Sequence, residues 1–145
     1  MKPVDEPIRR FLSRHHVLTL ATVDGGGNPW CSHAFYAFDS DRGLLIFSSN
    51  GDTAHAANME SDSRVSVSVV LETRIVGRVQ GCQIRGTAAR GGTDDKKRYF
   101  KRFPYAAAMP DAEIWVVTMD SIKYTDNTLG FGKKLLWQRD SDTER

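Results

Sequence analysis

Hydrophobic positions along the chain follow two periods. Ile8, Phe11, Leu12 and His15 recur at i, i+3, i+4 and i+7, one face of a helix that Pro7 suits at its first turn. Val17 to Val23 is β-branched and reads as a strand. The glycine-rich turn Asp24 to Pro29 leads into a second strand, Trp30 to Phe38, so the two form a hairpin. Asp39 to Gly43 turns the chain into a third apolar run, Leu44 to Phe47. Ser48 to Asp52 is then a dense turn cluster, and Thr53 to Met59 makes about two helical turns. Val65 to Val69 alternates strictly, the period of a half-buried strand.

The second half repeats this short-strand rhythm. Glu72 to Gly77 reads as a loop or strand end. Val79 to Ala89 reads as a strand with Gly81 and Gly86 as bends or bulges. Thr93 or Asp94 is placed to cap a helix that runs over Lys96 to Phe103 and stops at Pro104. Ala106 to Met109 adds a short helical piece. Ile114 to Met119 and Ile122 to Thr125 are strands, Asn127 to Gly132 a turn, Leu135 to Trp137 a last apolar run, and 141–145 a frayed tail. That makes six or seven strands and two or three short helices in hairpin order. No regular βαβ alternation appears, so an antiparallel barrel or closed sheet with peripheral helices is expected, not a doubly wound sheet.

Composition narrows the function classes. A chain of 145 residues is one domain by length, here 1–145 with a core over about residues 8–140. Its 40% hydrophobic and 26% charged content is that of a soluble globular protein. A net charge of +2 gives no general attraction to nucleic acid or anionic membrane. The basic stretch Lys96, Lys97, Arg98, Lys101 and Arg102, with Tyr99, Phe100 and Phe103, reads first as a solvated cationic face over an apolar stripe. No apolar run approaches the roughly 20 residues of a membrane span, and the N-terminal MKPVDEPIRRF lacks a signal core. Cys31 and Cys82 are far apart and outside any CxxC pattern. The expectation is two reduced cysteines in a cytoplasmic protein, with Cys31 a small buried residue. His15, His16, His33 and His55 show no metal-ligand spacing, so no metal site is expected. No paired carboxylates or triad spacing name a general acid, base or nucleophile.

The informative stretch is the handover from the third strand to the next helix. The hydroxyls of Ser48, Ser49 and Thr53, Gly51 and the free N–H groups of a helix start converge there, a place that can hold a phosphate. The same residues are also ordinary turn and cap residues, with Asp52 a further candidate cap.

Three further segments carry a resemblance. Trp30-Cys31-Ser32-His33-Ala34-Phe35-Tyr36, Lys101-Arg102-Phe103-Pro104, and Asp126 to Lys134 followed by Trp137 look like the small bacterial YhbP-type family. The order of elements resembles the wider pyridoxamine-phosphate-oxidase-like split barrels, over about Ile8 to Asp140. The resemblance implies a mainly β fold: a six-stranded antiparallel split β-barrel with peripheral short helices. It also implies a homodimer with flavin mononucleotide (FMN) at the dimer interface, and oxidoreductase chemistry on an unnamed small molecule. In flavin-binding relatives a Thr or Ser on the third strand and a Ser-Arg-Lys-type triplet hold the phosphate. Here Ser48 and Ser49 occupy the strand end, and Thr53-Ala54-His55 the triplet. Thr53 replaces the serine hydroxyl, His55 replaces the lysine if protonated or as a neutral donor, and Ala54 supplies nothing in place of arginine. Asp52 opposes the phosphate's charge. Lys133, or Lys134, offered as a cation from the partner chain, and Trp137 complete the expected cofactor contacts. Trp30 and Phe35 are either core aromatics at the barrel mouth or a surface for the flavin ring. The alternative is a non-enzymatic barrel that holds haem, with His33 or His55 as axial ligand, or a reduced deazaflavin or another small ligand.

Overall fold

The computed structural model describes residues 1–109, 112–130 and 132–140. The order is α1 (Glu6–Arg14), β1 (Val17–Val23), β2 (Pro29–Asp39), β3 (Leu44–Asn50), α2 (Ala54–Ser61), β4 (Arg64–Val70), β5 (Gln80–Arg90), α3 (Thr93–Arg102), β6 (Ala112–Asp126) and β7 (Lys134–Gln138). Short 3-10 turns span Val76–Arg78, Pro104–Ala108 and Asn127–Leu129. The frayed tail expected at 141–145 lies outside the described residues, as does Phe131 of the expected turn.

Strand order is β3-β2-β1-β4-β5-β6-β7, all antiparallel, and β3 also pairs with β6. Six strands therefore close on themselves and β7 is added outside the closure. The long strand β6 makes this work. On one edge it pairs with β5. On the other it pairs with β3 through 112–118 and with β7 through 121–125. The expected break between two strands at Met119 is absent; one strand serves two neighbours in succession. A bulge at Asp120 of β6, opposite Arg85 and Gly86 of β5, bends the pair at this point. Gly86 is the residue there because a Cβ would strike the Thr118 carbonyl. Gly81, by contrast, stays in regular pairing with Thr125.

The alternation of β4 is fully realised, with Val65, Val67 and Val69 buried. They join Leu18, Leu20, Tyr36, Leu45, Phe47, Ile84, Trp115, Val117 and Ile122 in the barrel core, which α1 covers with Ile8, Phe11 and Leu12. A second, smaller cluster lies outside the barrel wall, where Leu44, Ile46, Ile114 and Val116 meet Tyr99 of α3. The basic helix is thus a lid on this cluster. Arg102 donates to the carbonyls of Ser13, His15 and Tyr36, and Arg98 lies 3.5 Å from buried Asp39. The N-terminus of α3 is held by the Asp95 carboxylate, which accepts the Gly92 N–H at 2.8 Å, so neither Thr93 nor Asp94 is the cap.

Cys31 is exposed and Cys82 buried. The expectation for Cys31 fails because it sits on the outward face of β2, opposite Ala21, where no element covers the sheet. Among the described residues no helix is long and apolar enough to cross a membrane.

Candidate functional site

Backbone alternation decides which hydroxyls meet. Along β3, Leu45, Phe47 and Ser49 point into the barrel, while Leu44, Ile46 and Ser48 point to the α3 side. Ser48 and Ser49, grouped together by their sequence, are therefore on opposite faces. Only Ser49 joins the cluster at the start of α2. Its hydroxyl lies 2.7 Å from His55 Nε2 and 3.2 Å from Thr53 Oγ1.

Thr53 is the N-cap of α2. Its Oγ1 accepts the Ala56 N–H at 3.2 Å and donates to the Asn50 carbonyl at 2.9 Å. Asp52 does not cap the helix; it is exposed in the turn before it. The cap leaves the N–H groups of Ala54 and His55 at the helix start without intrahelical acceptors. Burial lowers the His55 pKa below its ordinary value, so the ring is neutral at pH 7. A neutral ring bonded to a serine hydroxyl is a hydrogen-bonding group and carries no charge. The expected lysine substitute is present in position and uncharged.

The rim around this cluster continues across two more strands. Ser49 pairs with Glu113 of β6, and Trp115 of β6 pairs with Arg90 of β5. Arg90 forms ion pairs with Glu113 and with Glu60 of α2, and its guanidinium lies 4.5 Å from the Trp115 ring centroid. Trp115 is fully buried, and its Nε1–H has no acceptor among the described residues. The Glu113 carboxylate lies against Gly51, where a Cβ would strike it. These three residues were not singled out from the sequence. Arg90 falls one residue past the expected end of its strand, and nothing in a linear reading brings it beside Glu113.

The remaining expected site residues stand elsewhere. Lys133 and Trp137 belong to the far end of β6, where Lys134 pairs with Thr125, whereas Ser49 pairs with Glu113 at the near end. Trp137 is a core residue whose Nε1–H donates to the Lys2 and Pro3 carbonyls, both at 3.1 Å. Within one chain neither reaches the Ser49 cluster. Trp30 and Phe35 are not core aromatics: they are 54% and 57% exposed. Trp30 pairs with Thr22, whose hydroxyl accepts from Asn58 of α2 at 3.0 Å, so it lies at the same end of the barrel as α2. Phe35 lies 5.5 Å from Phe103, ring to ring. His33 is exposed on the outer sheet face. No cluster of metal-ligating side chains occurs among the described residues.

With this geometry in hand, comparison with known proteins is direct. The family model described as pyridoxamine 5'-phosphate oxidase matches residues 4–126. YhbP of Salmonella paratyphi A is 39% identical over 142 residues, covering 95% of both chains. A haem-binding protein from Mycobacterium smegmatis superposes with a TM-score of 0.78 at 20% identity over 95% of this chain, which spans 59% of that one. HutZ, a haem storage protein from Vibrio cholerae, gives 0.64 at 17% identity, covering 82% of this chain and 92% of that one. An FAD-binding protein from Mesorhizobium loti gives 0.67 at 13% identity, covering 83% and 94%. The three structures share the fold with this chain, and the sequence matches go further: the chain belongs to the pyridoxamine 5'-phosphate oxidase-like split-barrel family and, within it, stands with the YhbP proteins.

Proposed function

We propose that this chain is an FMN-binding split barrel that holds the cofactor's phosphate at the junction of β3 and α2. The observation that carries the reading is the convergence of Ser49 Oγ, Thr53 Oγ1 and His55 Nε2 at the start of α2. Two hydroxyls, an imidazole and unbonded helix N–H groups form a donor set that fits phosphate oxygens. The fit is one of hydrogen bonding. Ala54 supplies no charge, His55 is neutral, and Asp52 and Glu113 are acidic neighbours. Binding is accordingly weaker than in a relative with Arg and Lys in the triplet. Two lost charge-assisted bonds of about 1.5–3 kcal/mol each amount to roughly a hundred-fold or more in affinity.

FMN supplies redox chemistry when bound. The chain's own residues position it: Ser49 and Thr53 fix the phosphate, and α2 orients the N–H groups that meet it. The exposed Trp30 at the same end offers an aromatic surface for the flavin ring. We further propose a homodimer. The outer faces of β1, β4, β5 and β6 present Thr19, Ala21, Ser66 and Gln83, together with the charged Arg85 and Lys123, around a concavity of about 540 Å³ with no helix over it. Lys133 then reaches the phosphate only from the partner chain. The test is an FMN titration followed by flavin fluorescence, with sedimentation velocity for the dimer. Saturable binding by a two-chain particle supports the reading.

A second reading, haem binding, is favoured by the haem proteins among the similar folds and by the site's lack of cationic charge. His55 Nε2 would then have to leave Ser49 to ligate iron. A Soret band on haem addition that His55→Ala abolishes would support it.

A further inference from the structure

The phosphate reading leaves a charge unaccounted for. Ala54 stands where flavin-binding relatives have arginine, and no cation lies on α2 near its start. A cation is nevertheless present on the rim. The strands β5, β6 and β3 lie side by side, and their inward-facing terminal residues are Arg90, Glu113 and Ser49. Arg90 is two strands from Ser49, roughly 10 Å across the sheet at ordinary strand spacing. One arginine side chain and one phosphate together span that gap.

What fills it is the Glu113 carboxylate. It lies against Gly51 at the turn into α2 and forms an ion pair with Arg90 on its other side. Apart from that ion pair, its buried Oε1 has no partner among the described residues. An anion thus sits between the strand end and the arginine, held among the described residues by the guanidinium alone. Arg90 is also fixed from two other directions, by Glu60 of α2 and by the Trp115 ring beneath it. That ring carries a buried N–H with no acceptor among the described residues, one inward-facing position from Glu113.

We propose that Arg90 is the positioning cation of the phosphate site and that Glu113 is an internal anion which the ligand's phosphate displaces. This rests on the β3–α2 junction being a phosphate site. In the free protein Glu113 and Glu60 both pair with Arg90 and keep the rim from collecting stray anions. On binding, a dianionic phosphate outcompetes a single carboxylate for the same guanidinium and takes the hydroxyls of Ser49 and Thr53 as well. The charge missing at Ala54 is in this way supplied from a different strand. Affinity is low because each binding event must first release an ion pair.

The experiment compares FMN with riboflavin, which has the same ring and no phosphate, on the purified full-length protein. The affinity ratio of the two isolates the phosphate's contribution from ring stacking. In the wild type FMN is favoured. Arg90→Gln lowers the ratio at least tenfold, Arg90→Lys restores part of it, and Glu113→Gln raises it several-fold or more. A merely structural ion pair would shift both flavins together and would make Glu113→Gln bind more weakly. If the wild type prefers FMN and Arg90→Gln leaves that preference intact, the assignment of Arg90 is overturned while the phosphate site stands. If neither the wild type nor Glu113→Gln prefers FMN over riboflavin, the phosphate site itself is overturned, and Arg90's role with it.

Discussion

The two ends of β6 solve the same problem in opposite ways. At each end the barrel must be closed beside a strand that changes neighbours. At the β7 end the arginine and the tryptophan donate chiefly to backbone carbonyls. Arg139 donates to the carbonyls of Met119, Arg42 and Gly43, bridging the gap where β7 stops and β3 begins. Trp137 donates its N–H to two carbonyls of the N-terminal segment. At the β3 end, among the described residues, the arginine is held by side-chain carboxylates, the tryptophan N–H has no acceptor, and the serine hydroxyl bonds only to groups of its own turn and helix start. One end acts as a seam. The other keeps hydroxyls and helix N–H groups that a ligand can claim, and that difference is why it is proposed as the site.

Arg139→Ala should break the seam, with a stability loss of about 2–3 kcal/mol in urea unfolding, because three carbonyls lose a charged donor. FMN affinity of the folded fraction should not change. The reverse pattern is expected at the site end. Replacing Thr53 and His55 together by alanine should weaken FMN binding at least tenfold while costing only about 1 kcal/mol of stability from the lost cap. Ala54→Arg should tighten FMN binding about tenfold by placing a cation at the helix start. An unchanged dissociation constant would mean that position 54 does not face the phosphate.

The two tryptophans give a finer test. Trp137→Phe removes a satisfied N–H and Trp115→Phe an unsatisfied one, so the first should cost about 1 kcal/mol more than the second. Unfolding midpoints at constant m-value measure this. The smallest effect is pH dependence. His55 has its pKa lowered in the folded chain, so folding favours the neutral ring. Its contribution to stability is complete above the unfolded value near 6.5 and is lost as pH falls through the lowered folded value. Anion binding acts in the other direction, because a protonated His55 attracts phosphate. Preference for FMN over riboflavin should therefore rise as pH falls below about 6.5 through the lowered folded value, and His55→Gln should remove most of that rise.

Much of the fold was legible because its signals are local. The alternation Val65 to Val69, the Asp24–Asn28 turn and the Pro104 stop each act over a few residues, and each appears as expected. The continuity of β6 was not legible, since the strand runs on through its own bulge at Asp120 and its two neighbours are distant in sequence. The site was half legible. Ser49, Thr53 and His55 are close in the chain and came together, while Ser48 failed because period-two alternation turns adjacent residues to opposite faces. The exposure of Cys31 and Trp30 depends on which strands have helices over them, which no window of sequence encodes. Arg90 and Glu113 meet only because β5 and β6 are adjacent over most of their length.

The most direct test is equilibrium dialysis of the purified protein against FMN and against riboflavin, read by flavin absorbance. A phosphate site at the start of α2 predicts saturable FMN binding and far weaker binding of riboflavin. Equal affinity for both, or no saturable FMN binding at any accessible concentration, would contradict it.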